Sequence, residues 1–263
     1  MRDGGNWTWT RRTALTLTAL LACTACETPE KPAAKPAAQV EADEPEPEPA
    51  PPPPTPPTFS IDELGPKVRF SRAVITDDSG QPRVQGIEQL RKDLLAEKDH
   101  ISGKDILLTV GRKASPTWVT MYLAELGTLG PSGVRIGTET RSEYPKEVAF
   151  VLESSVGTVP PCTLTGAILE DRSTAIWKVA GGTARKRGRG MGGPDLTMTG
   201  DTIVSLAKGC DSKLFVVSGA EGVEWGLIYD LAASAMTLEK AGLSQALVPK
   251  ERPTAGRPVK LGD

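Results

Sequence analysis

His100 is the only histidine in this 263-residue chain, so any Ser-His-Asp or Cys-His site would have to be built around it. It ends a charged stretch, Ala96-Glu-Lys-Asp-His100, and no nucleophile is marked by context. That setting predicts a solvated helix end. The acid pairs Asp77-Asp78 and Glu170-Asp171 are the next candidates for acid-base work. Each falls at a strand-to-turn boundary, where aspartate is favoured for local hydrogen bonding, so each is read as turn chemistry. Cys162 and Cys210 have no histidine near them and cannot supply a four-ligand zinc site. In an exported chain such an isolated pair is expected to oxidise. The bridge would contribute roughly 3–4 kcal/mol through chain entropy; the alternative is two buried thiols. No catalytic, cofactor or metal residue emerges, and a non-enzymatic protein is expected.

Two further groups could bind rather than react. Gly188-Arg-Gly-Met-Gly-Gly193 has the letters of GxGxxG, but Pro194 follows where a helix should open and no ribose-binding acid is suitably placed. It is read as a flexible loop. The same segment carries Arg185, Lys186, Arg187 and Arg189, a local cation cluster on a chain of net charge −2. These four are the candidate contacts for an anionic envelope polymer or lipid head groups; the competing reading is a solvated, mobile loop. The aromatic pairs Trp118/Tyr122 and Trp225/Tyr229 each have i,i+4 spacing and share one helix face. They are read as core packing, with a partner-binding surface as the alternative.

The elements that would position these residues begin only after the first 58 positions. Met1–Ala22 has a polar start, Arg11-Arg12, and an apolar run Thr13–Ala22 too short to span a bilayer. It fits an export signal. Leu20-Leu-Ala-Cys23 resembles a bacterial lipobox, which implies lipidation of Cys23; Cys26 is a weaker second candidate. Residues 23–58 are rich in proline and acid, which denies the chain both helix and ladder. They read as an extended stalk of roughly 100 Å if stiff. Removing residues 1–22, which hold Arg2, Arg11, Arg12 and Asp3, takes the net charge from −2 to −4. That argues against a nucleic-acid binder.

The remainder is expected to be α+β, two tandem small β-α-β-α-β domains at 59–155 and 160–250 with a flexible tail at 251–263. In the first, Lys67–Asp77 alternates through Val68, Phe70 and later Val74, which suggests a strand with an irregularity in the middle. A helix follows with Ile87, Leu90, Leu94 and Leu95 on one face. A short apolar strand, Lys104–Arg112, precedes a second helix opened by Pro116 with the stripe Trp118, Met121, Tyr122, Leu126 and Leu129. The second domain repeats this order, with a short helix near 201–208 holding Ile203, Leu206 and Ala207 inward. At an offset of 107 residues, Leu107–Val110 falls on Leu214–Val217, Trp118 on Trp225 and Tyr122 on Tyr229, without a gap. This places the aromatics at corresponding positions of two copies.

The passage Ile106–Thr140, ILLTVGRKASPTWVTMYLAELGTLGPSGVRIGTET, resembles the periplasmic domain of ExbD/TolR biopolymer-transport proteins, and Lys213–Val248 resembles it more distantly. What matches is the order strand, polar turn, helix, then a strand after glycine. The resemblance implies work beside a proton-channel partner in a Tol/TonB-type assembly. The family's motor role needs a transmembrane helix bearing an aspartate, which Thr13–Ala22 does not offer, so only the periplasmic half of the task carries over. The expectation is therefore an accessory or adaptor lipoprotein, membrane-anchored with its folded part in the periplasm. Its two units would pair within the chain as a pseudo-dimer, or with another chain as a dimer. Peptidoglycan or anionic-polymer binding through residues 185–189 is the alternative, and an envelope hydrolase a more remote one.

Overall fold

The computed structural model describes residues 56–77 and 79–262. The export signal, Cys23, Cys26 and nearly all of the stalk lie outside the described residues.

The chain enters through a three-strand meander, β1 (Phe59–Asp62), β2 (Gly65–Val68) and β3 (Ser71–Arg72). Its turns are set by local chemistry. Asp62 Oδ1 accepts the Leu64 N–H at 2.8 Å, and Gly65 takes φ 122°. Arg69 then adopts φ 53° and donates its N–H to the Thr58 carbonyl. The strand expected to run through Lys67–Asp77 therefore folds back at Arg69-Phe70, and Phe70 is fully exposed. Two helices follow, α1 (Val84–Ala96) and the single turn α2 (Lys98–Ile101). Leu90 and Leu94 are buried under α1, Ile87 packs against the core edge, and Leu95 turns to solvent. Then come β4 (Asp105–Val110), α3 (Pro116–Gly127), β5 (Gly133–Gly137) and β6 (Glu147–Phe150).

The second half repeats the order. A meander, β7 (Leu164–Ile168), β8 (Thr174–Lys178) and β9 (Arg185–Arg187), is followed by a small hairpin, β10 (Arg189–Gly190) with β11 (Gly193–Pro194). Next are α4 (Leu196–Ala207), β12 (Leu214–Gly219), α5 (Trp225–Met236) and β13 (Gln245–Leu247). Helix α4 starts earlier than the apolar pattern suggests, because Asp195 caps it by accepting the Met198 N–H at 3.0 Å. Ile203 and Ala207 are buried and Leu206 is half-buried.

Among the described residues, all but the hairpin strands join one mixed sheet of 11 strands, ordered β3-β2-β1-β4-β5-β6-β13-β12-β7-β8-β9. The order reads alike outward from β6 in both directions. On each side a meander is followed by two parallel strands, with a helix after the meander and another between the parallel strands. Strand β6 runs antiparallel to β5 and parallel to β13, so the halves point opposite ways across it. The described residues accordingly form one compact unit. Helices α1, α3, α4 and α5 share a single apolar cluster with one face of this sheet.

The other face differs between halves. In the first it is open and charged: Arg135 bridges Asp105 at 2.9 Å and Glu147 at 2.5 Å, and Asp62 takes Arg72 and Lys67. In the second it is apolar, with Trp177, Val179, Val216 and Leu247 buried. Its cover is the segment after β13, packed through Ala255, Val259 and Leu261. Trp177 Nε1–H donates to the Arg257 carbonyl at 3.0 Å, and Val259 N–H to Val179. The Glu153 carboxylate accepts from the Lys250 and Gly262 amides, at 2.5 and 3.2 Å. Residues 251–262 are thus a fitted strap, unlike the flexible tail expected at 251–263.

Candidate functional site

The order of strands and helices recurs, but not at a spacing of 107. Strands β4 and β12, and helices α3 and α5, begin and end 109 residues apart. The capping contacts agree: Gly111 N–H bonds Ile61 as Ala220 N–H bonds Ile168. A slip of two residues keeps a side chain on the same face of a strand but turns it by about 200° on a helix. Trp225 and Tyr229 therefore stand where α3 has Pro116 and Thr120, not where it has Trp118 and Tyr122. The expectation of corresponding aromatics is corrected on that ground.

The four aromatics do different work. Tyr122 is fully buried within the first half and donates to the Lys67 carbonyl at 3.2 Å. Trp118 is half-buried and its Nε1–H reaches Thr76 Oγ1 at 2.9 Å. Trp225 and Tyr229, both fully buried, cross to the other half. Trp225 Nε1–H donates to Thr138 Oγ1 at 2.9 Å, and its ring lies 6.0 Å from Phe150. The Tyr229 hydroxyl donates to the Pro145 carbonyl at 3.2 Å.

A half-buried ion pair fixes the same junction. Arg112, in the loop after β4, meets Asp230 of α5 with two nitrogens at 2.8 and 3.1 Å. Asp230 is only 3% exposed, and the Thr140 hydroxyl also donates to it at 2.5 Å. The carboxylate raises the Arg112 pKa by hydrogen bonding and holds the guanidinium charged. Backbone completes the joint: the first-turn amides of Trp225 and Gly226 donate to the Ala114 and Arg112 carbonyls. A Cβ at Gly226 would lie 2.9 Å from the Arg112 guanidinium carbon, so a larger residue there would displace that side chain from its pair.

The matching joint on the other side does not close. The loop after β12 stands off α3, and between them lies a cleft of about 800 Å³. One wall is the α3 face carrying Pro116, Thr120, Met121 and Ala124, with Trp118 at its edge. The facing wall is Gly219–Gly222 with Pro249, Lys250 and Arg252, and Trp225 and Ile228 also border the space. Two substitutions within the repeat explain the opening. Pro116 has no N–H, so it cannot make the bond that Trp225 makes. Pro116 and Thr120 are also far smaller than Trp225 and Tyr229, which fill the equivalent position. Such a space, mostly apolar with a few charges at its rim, is of a size that holds a small molecule or several side chains of a partner.

No family model, characterised protein or solved structure matches this chain.

Of the remaining sequence candidates among the described residues, Asp77 borders the cleft and the others lie outside it. Cys162 and Cys210 form a disulfide, with Cα atoms 5.7 Å apart, tying the approach to β7 to the approach to β12. His100 is exposed on α2. Asp77 accepts from the Ser79 hydroxyl and from the Gln81 and Ser79 amides, and Asp171 from the Ser173 hydroxyl and amide; these turn contacts, the hydroxyls foremost, lower the pKa of both carboxyls. Among the described residues no group of three or more His, Cys, Asp or Glu could hold a metal ion. Likewise among them, no helix is long and apolar enough to cross a membrane.

The cation cluster is not a loose loop. Arg185, Lys186 and Arg187 form the terminal strand β9, and the GxGxxG letters fold into the β10–β11 hairpin. Sequence reasoning missed Arg112, Asp230 and the cleft. No local pattern announces a pair 118 residues apart. The cleft signal was present: the absence of large residues from one face of α3 beside their presence in α5 becomes visible once the register is 109.

Proposed function

We propose that this protein is a non-enzymatic adaptor of the bacterial envelope, made of two ExbD/TolR-like copies fused as an intrachain pseudo-dimer. It would serve as an accessory part of a Tol/TonB-type transport or energy-transduction assembly. The observation that carries the reading is the matched strand order on either side of β6, with helices on one shared face. A self-pairing module that had become one chain would have this arrangement, and would be free to differ between its halves. The halves do differ. One closes its joint with Trp225, Tyr229 and the Arg112–Asp230 pair, whereas the other leaves the cleft along α3. In this reading the cleft receives an apolar segment of the partner, and the lipid at Cys23 and the stalk deliver the folded part to it.

Crosslinking in native membranes tests the assembly. A proton-channel subunit or its associated envelope proteins should co-purify with the chain. Recovery of the unlipidated protein in the soluble fraction, with no such partner, would overturn the proposal. The cleft has its own test. Thr120→Tyr together with Ala124→Leu should fill it, abolish the crosslink and leave the melting temperature within a few degrees of the wild type. A retained crosslink would move the partner site elsewhere.

A further inference from the structure

We propose that the β9 end of the sheet, together with the β10–β11 hairpin, docks on an anionic lipid surface. Strand β9 is the last of the sheet, so its outer edge has no strand partner among the described residues. Arg185 and Arg187 are paired with Ile176 and Thr174, which places both on the helix side of the sheet. Their heads are held there by neutral partners. Arg187 Nε–H donates to Thr202 Oγ1 at 2.7 Å, and Arg185 reaches Ser205 at 3.3 Å. Hydroxyls position a guanidinium without cancelling its charge. None of the ion pairs among the described residues involves Arg185, Lys186, Arg187 or Arg189. Two acids are close in sequence. Asp195 is occupied in capping α4, and Asp201 lies on the next turn without an ion pair. Lys186 belongs to the opposite side and faces toward Asp171, whose carboxyl it helps to lower.

The apolar component decides between a lipid and a soluble polyanion. Met191, at the hairpin tip, is fully exposed, and Met198 on the first turn of α4 is 47% exposed. Thr202, which receives Arg187, bonds back to the Met198 carbonyl, so cation and methionine share one patch. A dissolved polymer has no use for Met191. A bilayer does: head-group phosphates meet the arginines while the thioether enters the boundary beneath them. The proposal does not depend on the adaptor reading, because the patch lies outside the cleft.

The test is co-sedimentation of the full chain with vesicles of phosphatidylcholine alone, or of phosphatidylcholine with phosphatidylglycerol. Any contribution of residues 1–58 is common to all variants, so differences report the patch. Wild type should bind the anionic vesicles more tightly, and less so as salt is raised. Changing Arg185, Arg187 and Arg189 together to Gln should lower partition by about a hundredfold. The same three changed to Lys should bind like wild type, which separates charge from folding. Met191→Ser should weaken binding severalfold, and Lys186→Gln by less than about twofold. Equal binding by wild type and the triple Gln variant would overturn the proposal. So would arginine-dependent binding to polyphosphate that ignores Met191, which would assign the patch to a soluble polyanion.

Discussion

Asp230 is the residue on which the joint between halves depends most. It is a buried carboxylate whose cation comes from the other half of the chain. Arg112→Ala would leave that charge with only the Thr140 hydroxyl, and should destabilise by about 3–5 kcal/mol. Arg112→Lys keeps the charge but not the two-pronged geometry, and should cost less. Urea unfolding of the two variants checks the order; equal and negligible losses would show the pair to be dispensable. The tryptophans separate in the same way. Trp225→Ala empties a fully buried site and should cost about 3–5 kcal/mol. Trp118→Ala removes a half-buried ring at the cleft edge and should cost about 1–2 kcal/mol. Had the aromatics been equivalent, as the 107 register implies, the two losses would match.

At the scale of elements, what the sequence makes legible depends on which periodicity carries the message. Strand β4 alternates, with Ile106, Leu108 and Val110 buried and Asp105, Leu107 and Thr109 outward, and it stands where its pattern puts it. The α+β class and the main helices were legible for the same reason, whereas the single sheet running through both halves was not. The recurring order of elements left a trace too, but one placed two residues off. Matching Leu108 and Val110 to Phe215 and Val217 satisfies a strand in either register, so the strands could not expose the slip. The helices could, since their stripes then disagree: α3 buries Val119, Tyr122, Leu123 and Leu126, at a spacing of 109 from Ile228, Leu231, Ala232 and Ala235. The strap was hidden differently. Its own composition is polar, and the evidence for it lies in what it covers. Strands β7 and β8 lack alternation and are buried on both faces, which already requires a second layer. Removing residues 251–263 should therefore expose Trp177, red-shift its fluorescence and lower stability. An unchanged spectrum would mean that the strap contributes no burial. The disulfide acts at this scale also. Cys162→Ser with Cys210→Ser should cost about 3–4 kcal/mol, because the loop it closes is long.

For the whole molecule the consequence is cooperativity. One sheet runs through both halves, and the first-turn amides of α5 are satisfied by carbonyls from the loop after β4. Neither half can open without orphaning buried groups in the other. Alkaline titration reads this directly, because the chain has three tyrosines and one fully buried phenol in each half. Burial raises the pKa of Tyr122 and Tyr229 far above the ordinary value, and that of half-buried Tyr144 by less. A raised folded-state pKa contributes stability that is complete below the unfolded value near 10 and is lost as pH climbs toward the folded value. Ultraviolet titration should thus show Tyr144 ionising first. Tyr122 and Tyr229 should then ionise together, in one step coincident with loss of far-ultraviolet ellipticity. Arg112→Ala, which loosens the joint without touching either phenol, should move that shared step to lower pH while keeping it single. Two separate steps, with Tyr229 ionising while Tyr122 remains protected, would mean that the halves unfold independently and that the shared sheet does not couple them.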